Sequence, residues 1–392
     1  MVNVNMEEAP PLANQARGNS DIIRNKLKSI MANVLGCKMN EVRLKLQYNK
    51  NANTGCNKRT RRGCSKNRLG GGAYGTAYKA YANNGKSIPL VVKESRKHTR
   101  SDQESKIEHD TIRVLRNKGF QDTIPRVYGY VDCGMQEYLF SDLVNGVALK
   151  DFRPTSEHQM SSIITQVLYT LYRVNKSIPS FRHHDLHQDN VMIVRDVPRN
   201  LTLEYPVNSR NKYTFNNGGV RAVIIDFGLA HVNGVSNPKI ENGGFKHAGI
   251  HPKSHSIYDT HFFLNAIYLM IINESLKPAR SVTNTNKLNR IIKSIDRVQR
   301  YIEKHFEIKY LGMRDTKLIT GGRLTLAAQG QLTNNKRIGD FIKDLVLLPV
   351  QTPPGSDRQV DLPPSRSRQP NMRGINMKNL WKNLVAHQAR RV

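Results

Sequence analysis

The sequence predicts an α+β protein with two lobes, a β-rich lobe followed by a helical lobe. Residues 69–145 contain short β-rich runs separated by glycine-rich turns, with one long helical run among them. From about residue 151 onward, three long runs carry apolar residues at helical spacing. Segregated strands and helices of this kind are typical of α+β architectures. A hydrophobic fraction of 38% in 392 residues is enough for a sizeable core.

Basic extensions flank the two lobes. Residues 1–68 hold 14 Lys and Arg against 4 acidic residues and include one amphipathic helical run. The helical lobe covers residues 146–350, and residues 351–392 form a Pro/Ser/Arg-rich linker with a short terminal helix around Trp381. The formal net charge is +30. Such a charge attracts polyanions, so the termini are expected to contact nucleic acid or an acidic protein.

Cysteine usage and hydropathy indicate an intracellular, reduced protein. The four cysteines form no C-x-x-C pair, and the first residues do not have the character of a secretory signal. The most apolar run, residues 262–272, is too short to cross a bilayer. The sequence therefore predicts a protein that has no transmembrane segment and is not secreted.

A glycine-rich turn opens the β-rich lobe. Gly70, Gly72 and Gly75 stand in a G-x-G-x-x-G arrangement, which lets backbone N–H groups approach phosphate oxygens. A dinucleotide-binding fold requires a helix directly after such a turn. Here a strand-like run follows, so the pattern favours a strand–turn–strand flap over phosphates.

Lys93 ends the apolar strand that follows the glycine-rich turn. Such a lysine either points to solvent or clamps phosphates, and the second role requires a carboxylate partner. The next helical run offers Glu104 and Glu108. Glu108 shares helical spacing with Ile112 and Leu115, which would turn it toward the sheet. We therefore favour Glu108 as the partner.

The stretch FRHHDLHQDNVMIV, residues 181–194, places many polar groups directly before an apolar run. Asp185 and Asn190 are five residues apart, and Asp226 follows a second apolar run at residues 222–225. A carboxylate and an amide at the ends of buried strands suit Mg²⁺. Phosphoryl transfer also requires a base and a cation on the phosphates. A zinc site is a weaker alternative, because the three histidines have no partner cluster elsewhere.

This ordered set of motifs resembles the protein kinase superfamily over roughly residues 69–275. The resemblance implies a bilobal protein-kinase-like fold, ATP and Mg²⁺ as cofactors, and a protein substrate. It implies that Asp185 is the catalytic base, that Asn190 and Asp226 bind Mg²⁺, and that Lys93 paired with Glu108 holds the ATP phosphates.

The same resemblance assigns residues of the adenine pocket and a support of the catalytic loop. Phe140 would guard the back of the pocket. Ser141 to Leu143 would form the hinge, whose backbone binds adenine. Asp259 would be the buried helix aspartate that braces the catalytic loop.

Several departures from the family pattern make this chain more similar to divergent members of the superfamily than to ordinary signalling kinases. His184 replaces the usual arginine before the catalytic aspartate, and His187 replaces the lysine that contacts phosphate. The D-L-H sequence is similar to haspin-type kinases, aminoglycoside phosphotransferases and divergent kinases of large DNA viruses. No A-P-E sequence follows Asp226, and the long segment before it predicts an inserted hairpin near residues 196–219.

The sequence thus predicts a Ser/Thr-type protein kinase of viral origin, in the host cytoplasm or nucleus or in the virion. Two alternatives remain at this stage. One is a catalytically weak kinase-fold protein with a structural or nucleic-acid-associated role. The other is a small-molecule phosphotransferase. The sequence leaves the oligomeric state and the acceptor open.

Overall fold

The computed structural model describes most of the two lobes and little of the extensions. It describes residues 37, 67–71, 75–82, 88–97, 103–195, 202–206, 212–243, 245, 249–313, 315–333 and 337–346. The chain divides into two compact units, residues 1–349 and residues 350–392. The second unit lies outside the described residues, as do the amphipathic run near the N-terminus and the terminal helix around Trp381.

The N-terminal lobe is built on a five-stranded antiparallel sheet with the strand order β1-β2-β3-β5-β4. Its strands are β1 (Arg68–Gly71), β2 (Gly75–Ala82), β3 (Ile88–Arg96), β4 (Val127–Asp132) and β5 (Gln136–Asp142). Strand β3 pairs with β2 along one edge and with β5 along the other. This central position fixes the direction of every side chain on β3, because neighbouring side chains point to opposite faces.

Helix α1 (Glu104–Asn117) packs one face against this sheet. Its buried side chains recur at helical spacing and include Ile107, Ile112 and Leu115. Glu104 and Glu108 are buried on the same helix. Burying a carboxylate is unfavourable unless it is paired, so these two residues indicate a charged partner inside the lobe.

The C-terminal lobe is mainly helical. Its helices are α2 (Gln159–Ser177), α3 (Pro238–Glu241), α4 (Ile257–Ile272), α5 (Thr285–His305), α6 (Leu326–Thr333) and α7 (Ile338–Val346). In α4 all residues except Leu269 and Ile272 are buried. A helix that is buried on all sides forms the centre of a lobe, so α4 is a fixed platform for the residues that contact it.

Short strands complete the C-terminal lobe. Strands β6 (Val147–Ala148), β7 (Val191–Val194) and β10 (Arg221–Ile224) form a sheet in the order β10-β7-β6. Strands β8 (Thr202–Pro206) and β9 (Lys212–Asn216) form an antiparallel pair within the range where the sequence predicts an inserted hairpin. Strands β11 (Ile319–Thr320) and β12 (Arg323–Leu324) form a second, two-residue hairpin. The α+β, bilobal kinase-like fold class predicted from the sequence is confirmed.

One expectation about cysteine is wrong. Cys37 and Cys133 form a disulfide, with 5.6 Å between their Cα atoms. It joins a residue of the N-terminal extension to the turn between β4 and β5. Because disulfides of this kind are rare in reducing compartments, cysteine usage no longer supports an intracellular location. No helix in the described part of the chain is long and apolar enough to span a membrane.

Candidate active site

Lys93 lies at the centre of a cluster of three carboxylates between the two lobes, of which Glu104 and Glu108 are buried and Asp226 is partly exposed. Its Nζ atom is 2.8 Å from Oε2 of Glu108 and 2.7 Å from Oδ1 of Asp226. Glu104 is further away, with 3.4 Å between its Oε1 atom and the same nitrogen. The structure therefore pairs Lys93 with Glu108 more closely than with Glu104. Glu108 of the N-terminal lobe and Asp226 of the C-terminal lobe thus bind the same ammonium group, which joins β3 to the segment after β10.

The electrostatics of this cluster follow from one cation shared by several carboxylates. Burial disfavours the charged form of Lys93, but Asp226, Glu108 and Glu104 outweigh it and hold the lysine pKa well above its usual range. Burial raises the pKa of Glu108 to about 7, and the negative charge of Asp226 raises it further, against the lowering effect of Lys93. Burial opposes the ionised form of Asp226 as well, but Lys93 lowers its pKa. Lys93 is therefore a permanent cation at this site.

Asp185 and Asn190 meet in the catalytic loop. The Nδ2 atom of Asn190 donates to the backbone carbonyl of Asp185 at 2.8 Å and to its Oδ2 atom at 3.3 Å. Nε2 of His187 is 3.5 Å from the same carboxylate oxygen. The backbone N–H of Asp189 donates to Nδ1 of His187 at 3.3 Å, and Nε2 is the ring nitrogen that faces Asp185.

The Asp185 carboxylate is ionised in this setting. Burial would raise its pKa, but the hydrogen bond from His187 and the positive charge of Arg323 lower it to about 2. The carboxylate is only partly buried, with a side-chain exposure of 25%. A negatively charged, reachable oxygen acceptor can take a proton from a hydroxyl group.

Asp259 of α4 holds the backbone of the catalytic loop. Its two carboxylate oxygens accept the N–H groups of His183 at 2.8 Å and of His184 at 2.9 Å. His184 adopts a left-handed backbone conformation, with φ 64°, which L-residues rarely adopt without support. The bracing contact expected from the sequence is present.

His184 links the catalytic loop to the segment that follows Asp226. Its Nδ1 atom is 3.1 Å from the carbonyl oxygen of Leu229, and its Nε2 atom is 3.2 Å from that of His251. Burial lowers its pKa to about 4. An imidazole therefore stands where the family pattern has an arginine, and it contacts backbone carbonyl groups.

Two contacts bring Asp226 next to the catalytic loop. Strands β7 and β10 pair so that Val191 lies opposite Ile224, and the Ile225 N–H donates to the carbonyl oxygen of Asn190 at 3.0 Å. Asn190 and Asp226 therefore emerge at the same end of this small sheet. Asp226 has φ 65°, which turns its carboxylate out of the strand direction toward Lys93.

The Asn190 amide and the Asp226 carboxylate fit a magnesium ion. The Asn190 nitrogen is turned toward Asp185, so its oxygen is the free ligand atom. Mg²⁺ commonly takes one or two protein oxygen ligands and completes its shell with phosphates and water. Within the described ranges, no group of three or more His, Cys, Asp or Glu could hold a metal by itself, and Mg²⁺ bound together with a nucleotide requires none.

The predicted glycine-rich flap is described only in part. Gly70 lies in β1 with open space around its Cα atom, and Gly72 lies outside the described residues. Gly75 begins β2, where an added Cβ would come within 2.4 Å of the carbonyl oxygen of Glu94. The close approach of β2 to β3 therefore requires glycine at residue 75. Contact of these glycines with phosphate stays a prediction.

The sheet register corrects the prediction for Phe140. Directly opposed residues of an antiparallel pair point to the same face. Lys93 opposes Leu139 and Val91 opposes Ser141, whereas Val92 opposes Phe140. Ser141 therefore lies on the Lys93 face, while the fully buried Phe140 points to the opposite face.

The predicted hinge lies at the end of β5. Ser141 is within the strand, and Leu143 is the first residue after it. The N–H of Asp142 is already bonded to the carbonyl oxygen of Arg126 at 2.9 Å. Backbone bonds from Ser141 and Leu143 to adenine stay a prediction.

The sequence interpretation missed Arg323. Its Nη2 atom is 2.5 Å from Oδ1 of Asp185, although the two residues are 138 positions apart. The Gly321-Gly322 pair is a recognisable two-residue hairpin signal. No local pattern indicates that this hairpin reaches the catalytic loop.

The fold and the arrangement of this site resemble those of protein kinases. The family described as protein kinase domain matches residues 64–242. That range contains the predicted catalytic, nucleotide-binding and metal-binding residues, while Asp259 lies beyond it. The resemblance to the protein kinase superfamily is thereby confirmed.

Among curated proteins, the chain is similar to "Putative serine/threonine-protein kinase R400" of Acanthamoeba polyphaga mimivirus. The two are 27% identical over 139 residues, which are 33% of this chain and 30% of the mimivirus protein. The chain thus matches less than a third of that relative's length.

Two solved structures are similar in outline. One is the autoinhibited serine kinase domain of the giant muscle protein titin, with 14% identity and a TM-score of 0.36 over 71% of this chain and 72% of the titin chain. The other is the kinase domain of PF14_0431, with 15% identity and a TM-score of 0.37 over 71% of this chain and 93% of that chain.

Proposed function

We propose that this protein is an ATP- and Mg²⁺-dependent protein kinase of the Ser/Thr type and of viral origin. The observation that carries the proposal is the convergence of two groups of residues. Lys93, Glu108 and Asp226 meet at one point, and Asp185 and Asn190 meet beside them. These residues are far apart in sequence, and together they match the parts that phosphoryl transfer requires.

The proposed reaction moves one phosphoryl group and one proton. The acceptor hydroxyl loses its proton to the Asp185 carboxylate, and its oxygen forms a bond to the γ-phosphorus of ATP. The bond between that phosphorus and the β,γ-bridging oxygen breaks, and its electron pair stays with ADP. Lys93 holds the nucleotide phosphates, while Glu108 keeps the ammonium group in place. Asn190 orients Asp185 through its amide nitrogen.

Asn190 and Asp226 would hold the magnesium ion. When bound, Mg²⁺ neutralises charge on the nucleotide phosphates. The chain's own contribution is to keep both oxygen ligands at one end of the β7–β10 sheet and to keep Asp226 ionised through Lys93.

The proposal also covers the acceptor, the source and location of the protein, and a partner of its basic extensions. A protein acceptor fits the kinase domain match, and serine or threonine is suggested by the name of the mimivirus relative. That relative also supports a viral source, and hence a location in the cytoplasm or nucleus of a host cell or in the virion. The net charge of +30 supports contact of the basic extensions with an anionic partner, either nucleic acid or an acidic protein.

The test is transfer of labelled γ-phosphate from ATP with Mg²⁺ to a panel of acceptors. The panel contains a basic protein, an acidic protein, a tyrosine polymer, an aminoglycoside and choline. We expect labelling of serine or threonine in a protein acceptor, and its loss with Asp185→Ala. Equal, background-level labelling by the wild type and by Asp185→Ala would refute the kinase proposal. Labelling of the small molecules alone would favour a small-molecule phosphotransferase.

A further inference from the structure

A cation from outside the catalytic loop lies on the carboxylate that we assign as the base. Arg323 Nη2 donates to Asp185 Oδ1 at 2.5 Å. The arginine side chain is 19% exposed and the aspartate side chain 25%. The other carboxylate oxygen, Oδ2, faces His187 and Asn190. The two oxygens of Asp185 therefore have separate partners, one within the loop and one from the distant β11–β12 hairpin.

The Arg323 side chain is held in this position by its surroundings. The guanidinium carbon is 4.1 Å from the centroid of the Phe262 ring on α4. Stacking on an aromatic face is a favourable arrangement for a guanidinium group. Because α4 is the buried centre of the lobe, the ring is a fixed support.

The hairpin that carries Arg323 is anchored to the same helix. Its turn residues Gly321 and Gly322 both have positive φ, 52° and 77°, as a two-residue hairpin requires. The buried Asn265 donates to the carbonyl oxygens of Gly322 and Gly312, each at 2.9 Å, and accepts the Gly312 N–H at 2.8 Å. Arg323 is therefore preorganised beside Asp185.

The catalytic loop itself lacks a strong cation. Residues 183–190 contain neither lysine nor arginine. Arg182 precedes them, but its guanidinium group bonds the carbonyl oxygen of Ser254 and the Oδ1 atom of Asn175, both at 2.8 Å. Lys93 is bound by Asp226 and Glu108.

Phosphoryl transfer next to an ionised carboxylate requires positive charge. The transferring group carries negative charge on its equatorial oxygens, and the Asp185 carboxylate repels it. Cations placed in advance at such a position lower the barrier, since no reorganisation is needed during the reaction.

We propose that Arg323 is the positioning residue of the catalytic base: it fixes the Asp185 carboxylate and supplies the positive charge that the catalytic loop lacks. This inference rests on the proposed kinase function. It makes the β11–β12 hairpin part of the active site. Arg323 then takes the role of the lysine that the family resemblance implies at the position of His187.

The first test is steady-state kinetics of Arg323→Ala, Arg323→Gln and Arg323→Lys. Arg337→Ala, at an exposed position before α7, is the matched control. We expect Arg323→Ala and Arg323→Gln to lower kcat about 100-fold, while the KM for ATP rises only several-fold. Arg323→Lys should recover at least a tenth of the wild-type kcat. Faster transfer by Arg323→Ala would overturn the proposal, because it would show that the arginine blocks the base. An unchanged kcat would also overturn it.

The second test moves the cation into the loop. If Arg323 supplies the missing charge, the factor by which His187→Lys raises kcat should be at least about tenfold larger in Arg323→Ala than in the wild type. A merely structural role of Arg323 predicts no such rescue. Independent effects of the two substitutions would therefore contradict the proposal.

A third measurement does not depend on turnover. Calorimetry compares binding of Mg²⁺ with ADP and of Mg²⁺ with the non-hydrolysable β,γ-imido analogue of ATP. We expect Arg323→Ala to weaken binding of the ATP analogue several-fold more than binding of ADP. This result without any transfer by the wild type would refute the kinase function and keep only the placement of the Arg323 charge at the γ-phosphate. Equal loss for both nucleotides, with an active wild type, would refute the role and keep the function.

Discussion

Replacement of Asp259 by alanine tests how the catalytic loop is held. Asp259 is fully buried and accepts the backbone N–H groups of His183 and His184, which are buried as well. Alanine would remove both acceptors. The left-handed backbone of His184 would then lose its support.

The expected loss of stability follows from these two hydrogen bonds. Each buried donor left without a partner costs about 1–3 kcal/mol. Asp259→Ala should therefore lower the free energy of unfolding by about 2–6 kcal/mol, which is a large part of a typical domain stability of about 5–15 kcal/mol. Asp259→Asn retains one acceptor oxygen and should lose about half as much.

Urea unfolding followed by circular dichroism measures this loss, and phosphoryl transfer under folding conditions measures its effect on the site. Asp151→Ala, at an exposed position, is the control and should change stability by less than about 0.5 kcal/mol. A loss below about 1 kcal/mol for Asp259→Ala would refute the bracing role, since it would show that the two N–H groups find other partners.

Three further outcomes are expected. Burial lowers the pKa of His261 to about 4, so the stability it contributes is present above pH 6.5 and is lost as the pH falls toward 4. That loss is up to about 3 kcal/mol. Measured by urea unfolding between pH 6.5 and pH 4, the free energy of unfolding of His261→Gln should fall less steeply than that of the wild type. Equal slopes for the two proteins would contradict the prediction. By calorimetry, Ser141→Phe should weaken binding of the ATP analogue at least tenfold at unchanged stability. By urea unfolding, Phe140→Ala should lose about 3–5 kcal/mol of stability. If the register were wrong, the substitution at Phe140 would affect nucleotide binding and the substitution at Ser141 would affect stability. Gly146→Ala would place a Cβ 2.5 Å from a carbonyl oxygen of β7. Its free energy of unfolding should therefore fall by about 1–3 kcal/mol, which a lower melting temperature would show. An unchanged melting temperature would contradict that close approach.

Local patterns were sufficient for much of the site. Asp185, Asn190 and Asp226 stand next to apolar strands, so their positions follow from where those strands end. The choice of Glu108 over Glu104 follows from helical spacing, because Ile112 and Leu115 fix the face of α1 that meets the sheet. These assignments need only the sequence near each residue.

Other features depend on tertiary arrangement. Ser141, and not the predicted Phe140, lies on the Lys93 face because of the strand register. A shift of one residue moves every side chain to the opposite face. The pair of Cys37 with Cys133 joins residues 96 positions apart. Arg323 reaches Asp185 from a hairpin that Asn265 anchors to α4. No local spacing contains this information.

Single-turnover transfer of γ-phosphate from ATP is the most direct test of the central claim, that Asp185 is the base of a phosphoryl transfer. The comparison is wild type with Asp185→Asn and with Asp189→Asn, a neighbouring carboxylate that pairs with Lys150. We predict that Asp185→Asn slows transfer at least about 100-fold, while Asp189→Asn stays within about threefold of wild type. Equal rates for wild type and Asp185→Asn would contradict the account.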